Sequence, residues 1–151
     1  VKFHNLRCGT LDQVPILKIN KIIENEINNF KPNIVFTHSD KDVNNDHLIV
    51  HKSTIIATRP ASKFFVSKVY SYEVLSSSEW RFSKSFTPNY FEKLSKSDLS
   101  NKWNALKEYE SEIKPFPYPR SFEGIKALSN YRGMQCNCKY AEAFELIREI
   151  N

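Results

Sequence analysis

Glycine is scarce in this chain, at 3 of 151 residues. Loops that cradle phosphate need backbone free to turn left-handed and to approach a ligand closely, and neither G-x-x-x-x-G-K-[ST] nor G-x-G-x-x-G occurs. The G-x-S-x-G turn of the serine hydrolases is absent too. No apolar run approaches the roughly 18 residues that span a bilayer and no signal-peptide pattern is present, so the sequence predicts no membrane span. Cysteine is limited to Cys8, Cys136 and Cys138. Cys136-Asn137-Cys138 is too tight for the C-x₂-C of zinc ribbons, and nothing orients a cysteine against a histidine, so free thiols and a cytoplasmic protein are expected.

What is present is an aromatic-rich globular composition, with 11 Phe, 7 Tyr and 2 Trp. At 151 residues the chain is one domain's worth of material, able to bury a real core. The formal net charge is +5, but the lysines are interleaved with glutamates instead of forming a block. A solvated mixed-charge surface accounts for that pattern, and no nucleic-acid partner is expected. Val1-Lys2-Phe3-His4 lacks an initiator methionine, which leads us to expect a sequence that starts inside a longer protein.

Residues 12–30 predict a helix, with Asp12 as cap, Pro15 in the first turn, and Ile16, Ile19, Ile23, Ile27 and Phe30 at three- and four-residue steps. Lys31-Pro32 ends it, and Asn33–Thr37 reads as a short buried strand. A helix feeding a strand through a short turn points to a βαβ-type layered fold. His47–Thr58 predicts a second helix with Asp46 at its N-terminus, stopped by Arg59-Pro60. Phe64–Leu75 reads as a strand, Ser76–Trp80 as a turn, and Pro88–Phe91 as a short edge strand. Helices are expected at Asp98–Ile113, Ser121–Tyr131 and Tyr140–Ile150, with the proline-rich run Lys114–Arg120 after the first of them.

Between the first strand and second helix lies Thr37-His38-Ser39-Asp40-Lys41-Asp42-Val43-Asn44-Asn45-Asp46-His47. Loops at the carboxyl ends of strands in open α/β sheets are where such folds bind ligands. Asp40, Asp42, Asn44 and Asp46 alternate like the start of an EF-hand, but Asn45 stands where that loop needs Gly and His51 where it needs Glu. His47 and His51 would share a helix face, as in H-E-x-x-H zinc sites, yet residue 48 is Leu rather than the Glu such sites use as base. On pattern alone, His47 and His51 read more readily as ordinary surface or core histidines than as joint metal ligands, and His38 is ambiguous by itself.

Read as blocks, Pro32–His38, Asp42–His47 and Ala57–Pro60 resemble the PIG-L/LmbE family of zinc-dependent N-deacetylases. The likeness continues through Tyr72–Trp80, Ala105–Lys107, Tyr109–Glu112, Pro115–Ser121, Tyr131–Gly133 and Ala141–Phe144. It implies a Rossmann-like three-layer αβα sandwich of the α/β class, N-terminally incomplete. Residues 1–151 would form the C-terminal two-thirds of one such domain. By resemblance His47 is a zinc ligand, and Asp46 a partner that fixes the metal site's geometry. Asn44 stands where other branches carry a histidine that stabilises the oxyanion; its amide takes that role or the role lies elsewhere. His51 falls outside the family motif, and Arg59 is either structural or substrate-facing.

The family's His-Pro-Asp-Asp-Glu string, source of two further zinc ligands and the catalytic Asp, does not occur. A catalytic zinc wants three protein ligands and an open position. The expectation is therefore half of a site that, in the complete protein, removes the acetyl group from an N-acetylated amino sugar, with residues 1–151 inactive alone. The alternative is a non-catalytic, degenerate deacetylase-like domain that binds a sugar or protein partner. The sugar's identity stays open, as does oligomeric state, homo-oligomers included.

Overall fold

The computed structural model describes residues 1–151. A 3-10 turn at Leu11–Gln13 precedes helix α1, Ile16–Phe30. Pro15 is its N-cap, so the Asp12 cap expected from the sequence is not used; Asp12 lies in the separate turn. Ile19 and Ile27 are the apolar residues α1 buries, and Lys31 closes it in the left-handed conformation, its N–H on the Ile27 carbonyl. Strand β1 is Ile34–His38 and helix α2 is Asn45–Ala57. Strand β2 is Lys68–Tyr72, shorter than the aromatic run suggested, and a 3-10 turn at Ser78–Trp80 follows.

Strand β3, Tyr90–Lys93, is an edge strand as expected. Helix α3, Lys96–Lys107, opens with a capping box between Ser95 and Asp98 and stops before a 3-10 turn at Glu110–Glu112. Helix α4, Phe122–Gln135, is capped by Ser121.

The last element corrects the sequence expectation. Tyr140–Ile150 is not a helix: Ala141–Glu149 forms strand β4, the longest of the sheet. Its alanines, glutamates and leucine favour helix locally. Pairing decides otherwise, because β4 lies between β2 and β3 and bonds antiparallel to both, burying alternate residues Ala141, Ala143 and Glu145.

The sheet order is β1-β2-β4-β3, with β1 and β2 parallel. Helices flank it, giving the three-layer αβα arrangement. One apolar cluster joins Ile27, Ala57, Val66 and Val69 beneath α1 and α2; another joins Leu99, Ile125 and Tyr140 among α3, α4 and β4. Arg132 of α4 is buried and reaches Glu73 with a two-pronged ion pair, 2.7 Å from Nε and 2.5 Å from Nη2. No helix is long and apolar enough to cross a membrane.

Because Ile125 is 2% exposed at the centre of the second cluster, Ile125→Ala should destabilise the fold by about 2–5 kcal/mol. Phe82→Ala, at a side chain 88% exposed, should change it by less than about 0.5 kcal/mol. Urea unfolding of the two variants checks the contrast.

Candidate functional site

The parallel pair β1 and β2 sends two loops to the same edge of the sheet, residues 39–44 after β1 and 73–80 after β2. They are joined by Asp42, whose side chain is fully buried. One carboxylate oxygen accepts the Ser77 hydroxyl in a short contact and the Asn44 N–H at 2.8 Å. The other accepts the Ser78 hydroxyl at 3.2 Å and faces Nδ1 of His47 at 2.9 Å. Arg81 adds a bond at 2.6 Å to the Asp42 carbonyl. Burial opposes ionisation of Asp42, but the donors from His47, Ser77 and Asn44 outweigh it and hold the carboxyl at about 2.

Since the carboxylate is ionised, His47 must carry its proton on Nδ1, which leaves Nε2 as the open ring nitrogen. The ring stacks on His38, centroids 4.1 Å apart and planes 19° from parallel. His38 in turn meets the Tyr72 hydroxyl through Nε2 at 3.3 Å, while its Nδ1 is buried without a partner. Burial, and then the neighbouring His47, push the His38 pKa down to about 4, so it is neutral at pH 7. Tyr72 is pushed up, by burial first and by the Asp42 charge second. His51 donates from Nδ1 to the His38 carbonyl at 2.7 Å, fastening the end of β1 to α2.

The residues singled out from sequence take distinct places. Asn44 is the N-cap of α2: its Oδ1 accepts from the N–H groups of Asp46, at 2.9 Å, and His47, at 3.4 Å. That seats His47 in the first turn of the helix. Asp46, however, turns away from the imidazole. Its carboxylate accepts the N–H of Gly9 at 2.5 Å and of Leu11 at 3.0 Å, clamping the segment before α1. The carboxylate behind His47 is Asp42. Arg59 donates to the Ile56 carbonyl at 2.9 Å, a cap on the last turn of α2.

Asp42 and Tyr72 belong to blocks that carry the resemblance, but only as parts of them. Nothing in local spacing distinguishes Asp42 from Asp40 or Asp46. Ser77 and Ser78 lie 35 and 36 residues away, so no periodicity could pair them with it.

A zinc ion tests these donors directly. Asp42 behind Nδ1 and a free Nε2 are the arrangement of a metal-ligating histidine, so His47 fits as one ligand. No group of three or more His, Cys, Asp or Glu side chains in the chain is arranged to hold a metal. By themselves, these residues do not fit a catalytic zinc. Beside the site, a cavity of 630 Å³ is lined by Tyr72 together with Phe36, Leu106, Ile125, Leu128 and Phe144, and His47 does not line it.

The chain shares its fold with solved three-layer α/β proteins that include a deacetylase and a hydratase. It is similar to the conserved protein TT1542 from Thermus thermophilus, with a TM-score of 0.73 and 21% identity over 97% of this chain and 64% of that one. The N,N'-diacetylchitobiose deacetylase from Pyrococcus horikoshii matches with a TM-score of 0.72 and 16% identity, over 95% of this chain and 55% of that one. GalB, the 4-carboxy-2-hydroxymuconate hydratase from Pseudomonas putida, matches at 0.60 and 19%, over 89% and 60%. The chain thus spans between 55% and 64% of the length of these structures. No protein-family model matches it, and neither does any curated protein.

Two of the displaced pKa values, those of His38 and Asp42, set an acid sensitivity. Between about 6.5 and 4 the unfolded chain binds a proton at residue 38 that the fold refuses, so stability falls with pH across that window, by up to about 3 kcal/mol. Asp42 adds a second loss of about 2 kcal/mol as pH drops from 3.8 to about 2. Urea unfolding at pH 7 and pH 5 should show wild type losing more stability than His38→Phe; equal losses would contradict the assignment.

Proposed function

We propose that this chain carries half of the catalytic site of a zinc-dependent N-deacetylase acting on an N-acetylglucosamine-type amino sugar or glycoconjugate. The observation that supports it most is the Asp42–His47 pair at the carboxyl end of β1, with Nε2 left open. The structural likeness to a diacetylchitobiose deacetylase supports the fold of such an enzyme. In this reading His47 is the zinc ligand contributed by these residues, and the remaining ligands come from outside them. With its other ligands in place, a zinc ion on His47 would supply Lewis acidity for amide hydrolysis.

The chain's own residues supply position and polarity. Asp42 fixes the tautomer and plane of His47. His38 covers one face of the ring and, being neutral, adds no charge that would repel a cation. Asn44 commits Oδ1 to the helix cap, which leaves its amide NH₂ as a donor for the oxyanion of a tetrahedral intermediate. Asp46 secures residues 9–11 around the start of α2.

Acetate release from N,N'-diacetylchitobiose by the natural full-length protein tests the reading. His47→Ala should abolish zinc-dependent turnover, and Asp42→Asn should lower metal affinity or activity about 10–100-fold. Residues 1–151 alone should be inactive; measurable turnover by them would overturn the division of the site. Asn44→Ser keeps a helix cap but removes the amide, so a fall in kcat of about 10²–10³ with unchanged unfolding midpoint would support the oxyanion role. The absence of a three-ligand cluster within the chain favours one second reading, a non-catalytic sugar- or protein-binding domain. Saturable binding of the disaccharide by the full-length protein, without acetate release at any zinc concentration, would select it.

A further inference from the structure

Away from this site, the turn between α4 and β4 holds the two thiols of the chain's C-terminal half side by side. Sγ of Cys136 lies 3.3 Å from Sγ of Cys138, and both residues are half-buried. Three features of the fold keep them there. The Gly133 carbonyl accepts the N–H of Cys136 at 3.1 Å and of Cys138 at 2.9 Å, winding the turn tightly on the helix end. Asn137 between them is left-handed, at φ 55°, which brings the two side chains to the same side. Residue 133 admits no side chain, since a methyl there would sit 2.5 Å from the Cys138 carbonyl oxygen, so the glycine is what lets the turn close. Each thiol also has a fixed backbone acceptor, the Arg132 carbonyl at 3.5 Å for Cys136 and the Tyr140 carbonyl at 3.1 Å for Cys138.

We propose that Cys136 and Cys138 form a redox-active dithiol site that exchanges with low-molecular-weight disulfides of the glutathione type. One thiolate attacks a sulfur of the disulfide RSSR, forming a mixed disulfide and expelling RS⁻. The neighbouring thiol, after losing its proton, attacks the protein sulfur of that mixed disulfide, forms the Cys136–Cys138 bond and expels the second RS⁻. Overall the protein loses two hydrogens and two electrons, and RSSR is reduced to two RSH. The fold contributes proximity: the two sulfurs stand 3.3 Å apart, so the second step is intramolecular at a fixed separation. Cys8 is exposed, with no cysteine beside it, and serves as the internal control.

The test equilibrates residues 1–151 with oxidised and reduced glutathione at set ratios, then counts free thiols by alkylation and intact mass. The expected product has lost two hydrogens, keeps Cys8 alkylatable and carries no glutathione on Cys136 or Cys138. Cys138→Ser should instead accumulate a stable glutathione adduct on Cys136. The equilibrium constant for closing the bond should be at least about tenfold larger in native protein than in the same protein in urea, because only the fold holds the sulfurs together. Gly133→Ala, which opens the turn, should bring the native value toward the denatured one; a circular dichroism spectrum confirms that it folds, and Asn137→Val, which disfavours the left-handed conformation between the cysteines, repeats the test if it does not. Equal constants in buffer and urea, or persistent glutathione adducts on the wild-type pair, would overturn the proposal.

Discussion

A carboxylate withdrawn completely from water is the constraint around which the rest of this site is arranged. An isolated ionised group in that position costs far more than a fold of this size can offset, so its oxygens must be met by donors. Asp42 collects four, from Ser77, Ser78, His47 and the Asn44 backbone, and its own carbonyl collects Arg81. Those partners come from two loops and the start of a helix. Satisfying one anion therefore brings together β1, β2 and α2, and the imidazole of His47 is oriented as part of the same requirement.

The sheet makes the meeting possible. Parallel β1 and β2 end side by side, so the loops that follow them emerge at one edge, where open α/β sheets present their ligand sites. Just below that edge a polar row crosses three strands: Thr37, Ser71 and Glu145, in register and all buried. Glu145 accepts Ser71 and the Thr87 N–H and pairs with Lys41 of the first loop. The loop that carries Asp42 is thus tied both to the loop after β2 and to β4.

Much of the layered fold was legible from the sequence because hydrophobic periodicity reports local structure directly. The isoleucine stripe of α1, the strand through Val35 and Phe36, a helix start near Asp46 and His47 and Pro60 after α2 could all be read without tertiary information. The cap at Asn44 could not, and the expected burial of the strand is not met, since Ile34 and Phe36 are exposed. The chief error, reading β4 as a helix, has the same origin. Ala-Glu-Ala-Phe-Glu-Leu has helical preference, and its strand state exists only because β2 and β3 lie on either side. At the site, the resemblance pointed to His47 with Asp46 behind it, whereas the carboxylate that meets the His47 ring is Asp42. Both aspartates lie within five residues of His47, and their chemistry is identical. What separates them is that Asp46 finds the Gly9 and Leu11 amides while Asp42 finds two serines from the next strand's loop.

The amino-acid sequence by itself determined the element order up to α4, the absence of a long apolar helix, the polar loop after β1 and the place of His47 at the start of α2. These depend on interactions between residues a few positions apart. Tertiary structure alone decided that β4 is a strand, that Asp42 and not Asp46 orients His47, that Asn44 spends one amide atom on a helix cap, and that two cysteines meet across a left-handed asparagine. Each of those outcomes turns on which donor or strand a residue meets once the chain has folded.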